Sequence, residues 1–184
     1  MTWESSLTES LGRGRNRSRR LVCAIVALDE WTPVNGNGSW VTFEGVEQDV
    51  LPAHVRGGVI LPMRNESAML TTEVRQKPFA LIVAPGRDGK AEGSLYIDDG
   101  VSIEQQFSTL MNFAYQNGTL TVNGTFNYKD EGAKPIEKLL FLGQSAQKQA
   151  SLDGQQLQSD YNATSQTVSV PGFSKREAFT VSLA

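Results

Sequence analysis

The chain has 184 residues, 39% hydrophobic and 20% charged, with a net charge of −3 and a pI of about 5.2. That leaves room for one domain of ordinary size or two small ones. The acidic balance gives no reason to expect a nucleic-acid or anionic-membrane partner, and no apolar run approaches the ~20 residues that span a bilayer. The single cysteine, Cys23, excludes an intrachain disulfide, and the single histidine, His54, excludes a multi-histidine metal site.

Residues 1–20 are polar, with Arg13, Arg15, Arg17, Arg19 and Arg20 set among small residues. Such a run cannot bury enough apolar surface to fold, so it reads as disordered. Residues 21–28 are an apolar run in which Val22, Ile25 and Val26 favour a strand. As the core of a signal peptide the run is short, starts late and lacks a clear cleavage site. As a nucleic-acid arm the basic run lacks interleaved aromatics.

From Trp31 onward the pattern is β-structure. Residues 35–38 (NGNG) are a turn cluster, and residues 39–46 (SWVTFEGV) read as a strand. In residues 53–61 the pair Gly57-Gly58 interrupts a strand bracketed by Pro52 and Pro62. Residues 63–77 read as a loop with one helical turn at most. Residues 79–84 (FALIVA) are apolar on both faces of a period-2 pattern, which predicts a strand buried on both sides. Asp88-Gly89 is a turn, and residues 93–98 return with Leu95 and Ile97 opposite Tyr96. Residues 79–100 thus read as a β-hairpin ending in the acidic turn Asp98-Asp99-Gly100.

Residues 109–115 and 119–126 flank Asn117-Gly118, a type I′ hairpin signal. Residues 137–142 form a strand after Pro135. Residues 149–152 and 155–158 flank Asp153-Gly154 as a second hairpin, and residues 167–170 and 178–183 close the chain. Turn signals every eight to twelve residues, with no long helical pattern, predict an all-β, antiparallel β-sandwich of about ten strands.

Six Asn-x-Ser/Thr sequons occur, at Asn16, Asn37, Asn65, Asn117, Asn123 and Asn162. With nine asparagines, and Ser plus Thr at 29 of 184 residues, chance would give about 1.4. The excess points to a glycoprotein of the secretory pathway, although Asn117 and Asn123 also suit turns in their own right. Catalytic groups are harder to find. Asp98 and Asp99 are adjacent, and successive strand side chains point to opposite faces, so the reading is a turn in which an Asp side chain accepts backbone N–H bonds. His54, beside Arg56, reads as a structural residue, with no Gly-x-Ser-x-Gly elbow to accompany it. Gly12-Arg13-Gly14 lacks the strand and third glycine of a phosphate loop. Candidates for stacking a sugar are Trp31, Trp40, Tyr115, Tyr128 and Tyr161, each with core or interface packing as the alternative.

Three segments occur in order with specific content: LPAHVRGGVILP at 51–62, LTTE at 70–73 followed by KPF at 77–79, and GSLYIDDG at 93–100. In these the chain resembles the C-terminal β-domains of family 31 glycoside hydrolases, the fungal secreted α-glucosidases (maltases) in particular, over residues 31–184. The resemblance implies residues 31–76 as a remnant of a proximal β-domain, residues 77–184 as the distal β-sandwich, and residues 1–30 as an unmatched start of a truncated or mis-joined chain. It implies a retaining mechanism using two Asp residues of a catalytic barrel, hydrolysis of terminal α-1,4-linked glucose, no cofactor and no metal. No position here matches the family's Trp-x-Asp-Met-Asn-Glu-like nucleophile segment, so no catalytic residue carries over. The expected role is non-catalytic support of that barrel as partner, in a secreted enzyme, with an α-glucan or oligosaccharide as a further possible ligand. The competing expectations are an independent carbohydrate-binding β-sandwich and an autonomous glucosidase with an unrecognised carboxylate pair.

Overall fold

The computed structural model describes residues 22–27, 30–35, 53–128 and 134–184. The polar start, the strand expected at 39–46, Asn16, Asn37 and Trp40 lie outside them. Three strands, β1 (Val22–Ala27), β2 (Glu30–Asn35) and β3 (Ala53–Val55), form a small antiparallel sheet in the order β2-β1-β3. The apolar run after the arginines is therefore a strand. It is followed by the hairpin partner that carries Trp31, and His54 lies on β3 opposite Ile25.

The remaining strands are β4 (Val59–Arg64), β5 (Phe79–Ala84), β6 (Ala91–Ile97), β7 (Thr109–Gln116), β8 (Thr119–Phe126), β9 (Ile136–Phe141), β10 (Ala150–Leu152), β11 (Gln155–Leu157), β12 (Asp160–Asn162), β13 (Thr167–Val170) and β14 (Phe179–Leu183). They form one sheet in the order β11-β10-β14-β8-β7-β6-β4-β5-β9-β13-β12. The sheet curls so that its two halves face each other across a single core. Tyr115 of β7 meets Phe141 of β9 with ring centroids 5.6 Å apart, and Phe173 meets Phe179 of β14 at 5.9 Å. One helix, α1 (Thr71–Arg75), lies between β4 and β5. The fold is the all-β sandwich that the turn spacing predicts. Most of its pairings are antiparallel, with β4–β6 and β5–β9 parallel.

Side-chain alternation places the core. In β7, Thr109, Met111, Phe113 and Tyr115 point inward while Leu110, Asn112, Ala114 and Gln116 point out. The next strand answers with Leu120 and Val122. All six residues of β5 are buried. Phe79, Leu81 and Val83 enter the main core. Ile82 and Ala84 form a second cluster with Leu142, against which Val55 of β3 packs. The small sheet thus reaches the outer face of β5, which is why that strand has no polar position. Each such fully buried aliphatic side chain contributes roughly 1.5–3 kcal/mol.

Residues 79–100 are not a hairpin. β5 pairs with β4 over six residues, from Val59↔Ala84 to Arg64↔Phe79, and gives its other edge to β9. Both edges are taken, so β6 lies beyond β4, which it meets in register at Val59↔Glu92, and it pairs fully with β7. At this crossing a Cβ on Gly93 would overlap the carbonyl oxygen of Ile60, so the residue must be glycine for the two backbones to approach. Pro62 lies inside β4 rather than at its end. It sits past the point where β6 pairs, so that edge needs no N–H from it. The two short hairpins form as their turn residues dictate. Asn117 and Gly118 have φ of 52° and 76°, and Asp153 and Gly154 have 49° and 86°, the left-handed pair that a type I′ turn requires.

Candidate functional site

The acidic turn closes β6. Asp99 Oδ1 accepts hydrogen bonds from the backbone N–H of Val101 (2.9 Å) and Ser102 (3.0 Å) and from Gln105 Nε2 (2.9 Å), while Oδ2 accepts a short one from Ser102 Oγ. Asp98 Oδ1 accepts from the N–H of Gly100 at 2.9 Å. These bonds, led by that of the Ser102 hydroxyl, hold the Asp99 carboxyl well below the usual carboxylate range. A carboxylate so engaged is a loop anchor. The sequence reading of a turn with an Asp side chain accepting backbone N–H bonds is what the structure contains.

The same end of the sheet carries a second loop. Arg64↔Phe79 ends the β4–β5 pairing, β4 and β6 run parallel, and Ile97↔Thr109 ends the β6–β7 pairing. The segments 65–78 and 98–108 therefore emerge side by side. Arg75, at the last position of α1, joins them by donating from Nη1 to the Asp99 carbonyl oxygen at 2.9 Å. Gly100, at φ 65°, lies beneath that guanidinium, where a Cβ would overlap it. Lys77 pairs with Glu66 at 2.6 Å, and the Arg64 guanidinium sits 3.8 Å above the Phe79 ring, its pKa lowered by burial and by the nearby charge of Arg75.

Around these polar ties the surface is apolar. Among the residues whose burial is described, 55–128 and 134–184, every exposed large hydrophobic falls between positions 61 and 110; Met69 is 98% exposed, Val101 87% and Ile103 fully. Tyr96 and Leu110, directly paired across β6 and β7, are exposed together. The described residues of 111–184 contribute none.

The opposite end differs. The β5–β6 loop, the Asn117-Gly118 turn and the residues after β9 enclose a shallow groove of about 360 Å³, lined by Pro85, Arg87, Tyr115, Asn117, Gln144 and Lys148 among others. Its described lining holds no Asp or Glu, whereas a retaining glycosidase needs two carboxyls ~5–5.5 Å apart. Asn162 lies at this end too: it faces Thr167 across the β12–β13 turn, and Val168 pairs with Phe141. Its Oδ1 accepts the N–H of Thr164 at 2.9 Å and of Ser165 at 3.2 Å.

The remaining sequence candidates separate clearly. The sequon asparagines Asn65, Asn117, Asn123 and Asn162 are all exposed. Tyr115 is buried, with its phenol pKa pushed up by that burial. Tyr128 and Tyr161 are half-buried against the core, and the Tyr161 hydroxyl donates to the Gln144 carbonyl oxygen at 3.3 Å. Among the residues whose burial is described, the exposed aromatics are Tyr96, inside the GSLYIDDG segment, and Phe107, which no motif marks. The signal for Phe107 was apolar residues in a segment with no strand alternation.

No family model matches the chain. It is 47% identical over 111 residues to a probable alpha/beta-glucosidase of Arthroderma benhamiae, covering 60% of this chain and 13% of that protein. It is 45% identical over 130 residues to a probable alpha/beta-glucosidase of Aspergillus fumigatus, covering 71% and 14%. Glucosidase II alpha subunit superposes with a TM-score of 0.68 at 19% identity, covering 93% of this chain and 22% of that one. The GH31 dextranase of Flavobacterium johnsoniae superposes with a TM-score of 0.59 at 15% identity, covering 86% and 23%. The chain spans only 13–14% of the length of the two glucosidases. In sequence and in fold together, this chain matches a C-terminal β-region of GH31 enzymes, of the fungal alpha/beta-glucosidase kind.

Proposed function

We propose that this region is a non-catalytic support of the catalytic barrel in a secreted family 31 α-glucosidase that hydrolyses terminal α-1,4-linked glucose. The observation that carries the reading is the fate of its acidic motif. Asp98 and Asp99, the carboxylates of the segment shared with the family, are spent on their own loop, and the alpha/beta-glucosidases it matches hold most of their length elsewhere. Residues 31–76 act as part of a proximal β-domain and residues 77–184 as the distal sandwich, with β4 reaching from the first into the sheet of the second. Exposure of Asn117, Asn123 and Asn162 supports N-glycosylation and passage through the secretory pathway.

Hydrolysis of maltose tests the reading. The purified chain alone is expected to give no turnover. A full-length Aspergillus fumigatus relative in which this stretch replaces the matched one is expected to hydrolyse maltose. Turnover by the chain alone would sink the proposal. A second reading, a carbohydrate-binding sandwich, is favoured by the exposed rings of Tyr96 and Phe107. Titration of the chain with maltooligosaccharides, followed by tyrosine fluorescence, separates the two.

A further inference from the structure

We infer that the end of the sheet formed by segments 65–78 and 98–108 is the face on which the catalytic part of the same polypeptide docks, and that the opposite end, with Asn117 and Asn162, faces solvent. The inference rests on the supporting role proposed above and says which surface performs it.

Three observations converge on this end. The exposed apolar side chains are concentrated there: Met69 and Leu70 from one segment, and Val101, Ile103 and Phe107 from the other. Exposing that many large apolar groups is unfavourable for a surface that stays in water, and contiguous patches of this kind mark interaction sites. The loops that present them are held in place beforehand. Asp99 secures the backbone at 101 and 102, and Arg75 ties α1 to the same turn, so little order remains to be gained on docking. Within the patch Lys77 pairs with Glu66 and the Asp99 carboxylate is engaged by its own loop, so neither has to lose a solvent-only partner on docking.

The occupant follows from what the chain itself leaves free. Among the described residues the small sheet meets the large one elsewhere, with Val55 of β3 packing on the second cluster against the outer face of β5. A chain that matches 13–14% of its glucosidase relatives leaves more than four-fifths of each polypeptide to be placed against it. The opposite end carries two exposed sequons, Asn117 and Asn162, and the docking end carries one, Asn65, which opens segment 65–78; docking requires Asn65 to be bare in the assembled enzyme.

The test uses the full-length Aspergillus fumigatus enzyme carrying this stretch, beside the 184-residue chain alone. The first readout is oxidation by dilute peroxide, with Met69 as reporter and the buried Met111 as internal control. Met69 is expected to react fast in the chain alone and ~tenfold or more slower in the full-length enzyme, as burial removes it from solvent. The second readout is the half-life of maltase activity on heating. Val101→Ser with Ile103→Ser and Phe107→Ser is expected to shorten it ~tenfold, whereas Gln116→Ser with Ala163→Ser, at the polar end, leaves it unchanged. An active full-length enzyme in which Met69 oxidises at the rate of the free chain and the triple variant keeps its half-life overturns the docking face and leaves the supporting role standing. A full-length enzyme that folds but hydrolyses nothing counts against the supporting role, and the docking face falls with it.

Discussion

The guanidinium of Arg75 donates to the carbonyl oxygen of Asp99 across 24 positions of sequence, at 2.9 Å. It is the tie between the helix after β4 and the acidic turn after β6. Gly100 makes it possible, because the next residue turns with φ 65° and leaves the space beneath the guanidinium empty. Gly100→Ala is expected to destabilise the chain by about 1–2 kcal/mol, the cost of a left-handed L-residue, and to displace Arg75. Urea unfolding followed by circular dichroism checks it; an unchanged midpoint would show that the turn relaxes without loss.

The Asp99 carboxyl is held below its ordinary range by the Ser102 hydroxyl, the Val101 N–H and Gln105. A group whose folded pKa is depressed contributes stability that is fully present above its unfolded pKa, about 3.9, and is lost as pH falls through the folded value. The loop is therefore expected to stay ordered at pH 5 and to loosen progressively below about 4. In Asp99→Asn that acid-dependent step should be missing, and backbone exchange at 100–105 should already be ~tenfold faster at neutral pH, as charge-assisted bonds are lost. Hydrogen exchange against pH measures both.

Phe141 is wholly buried and meets Tyr115 from the facing half of the sheet. Phe141→Ala is expected to cost about 3–5 kcal/mol. Leu110→Ala, on the outward face of β7, should change stability by no more than about 0.5 kcal/mol. Parallel urea titrations of the two variants compare them; similar losses would mean that the outer face of β7 is covered in the isolated chain.

Gly93 is where β6 passes β4. Gly93→Ala forces a methyl group against the Ile60 carbonyl oxygen, at an expected cost of about 1–3 kcal/mol. Because the strain falls between two strands that meet at one register position, exchange should rise in both β4 and β6. Protection that stays native in both strands would refute the close approach as the reason for glycine.

Peptide mapping of the chain secreted from a fungal host, before and after glycosidase treatment, is expected to find glycans on Asn117 and Asn162. Bare asparagines at both positions would remove the support that the sequon excess gives to a secretory route.

Much of this was legible from local pattern. Residues 79–84 had no polar position, and β5 is buried on both faces. Asn117-Gly118 and Asp153-Gly154 named their hairpins because φ is decided within two residues. The partner of β5 was not legible. Its edges are claimed by β4 and β9, and no local rule ranks a distant edge above a neighbouring one. The three-residue β12 carried no periodicity to read. The apolar end was hidden for a related reason. Val101, Ile103 and Phe107 have the composition of core residues, and only the placement of their loop shows that they face outward. Of the two readings that the sequence left open for Tyr115, core packing is the one found, its ring lying beside Phe141.

β4 precedes every other strand of the large sheet in the chain, yet it sits in the sheet's interior between β6 and β5. A polypeptide starting after residue 76 would hold both halves of the sandwich but lack the strand that joins them into one sheet. The edges of β5 and β6 would stand open, each a template for a foreign strand. Six residues of the preceding segment thus act as the fold's zip: they decide whether the last hundred residues close on themselves or polymerise with their neighbours.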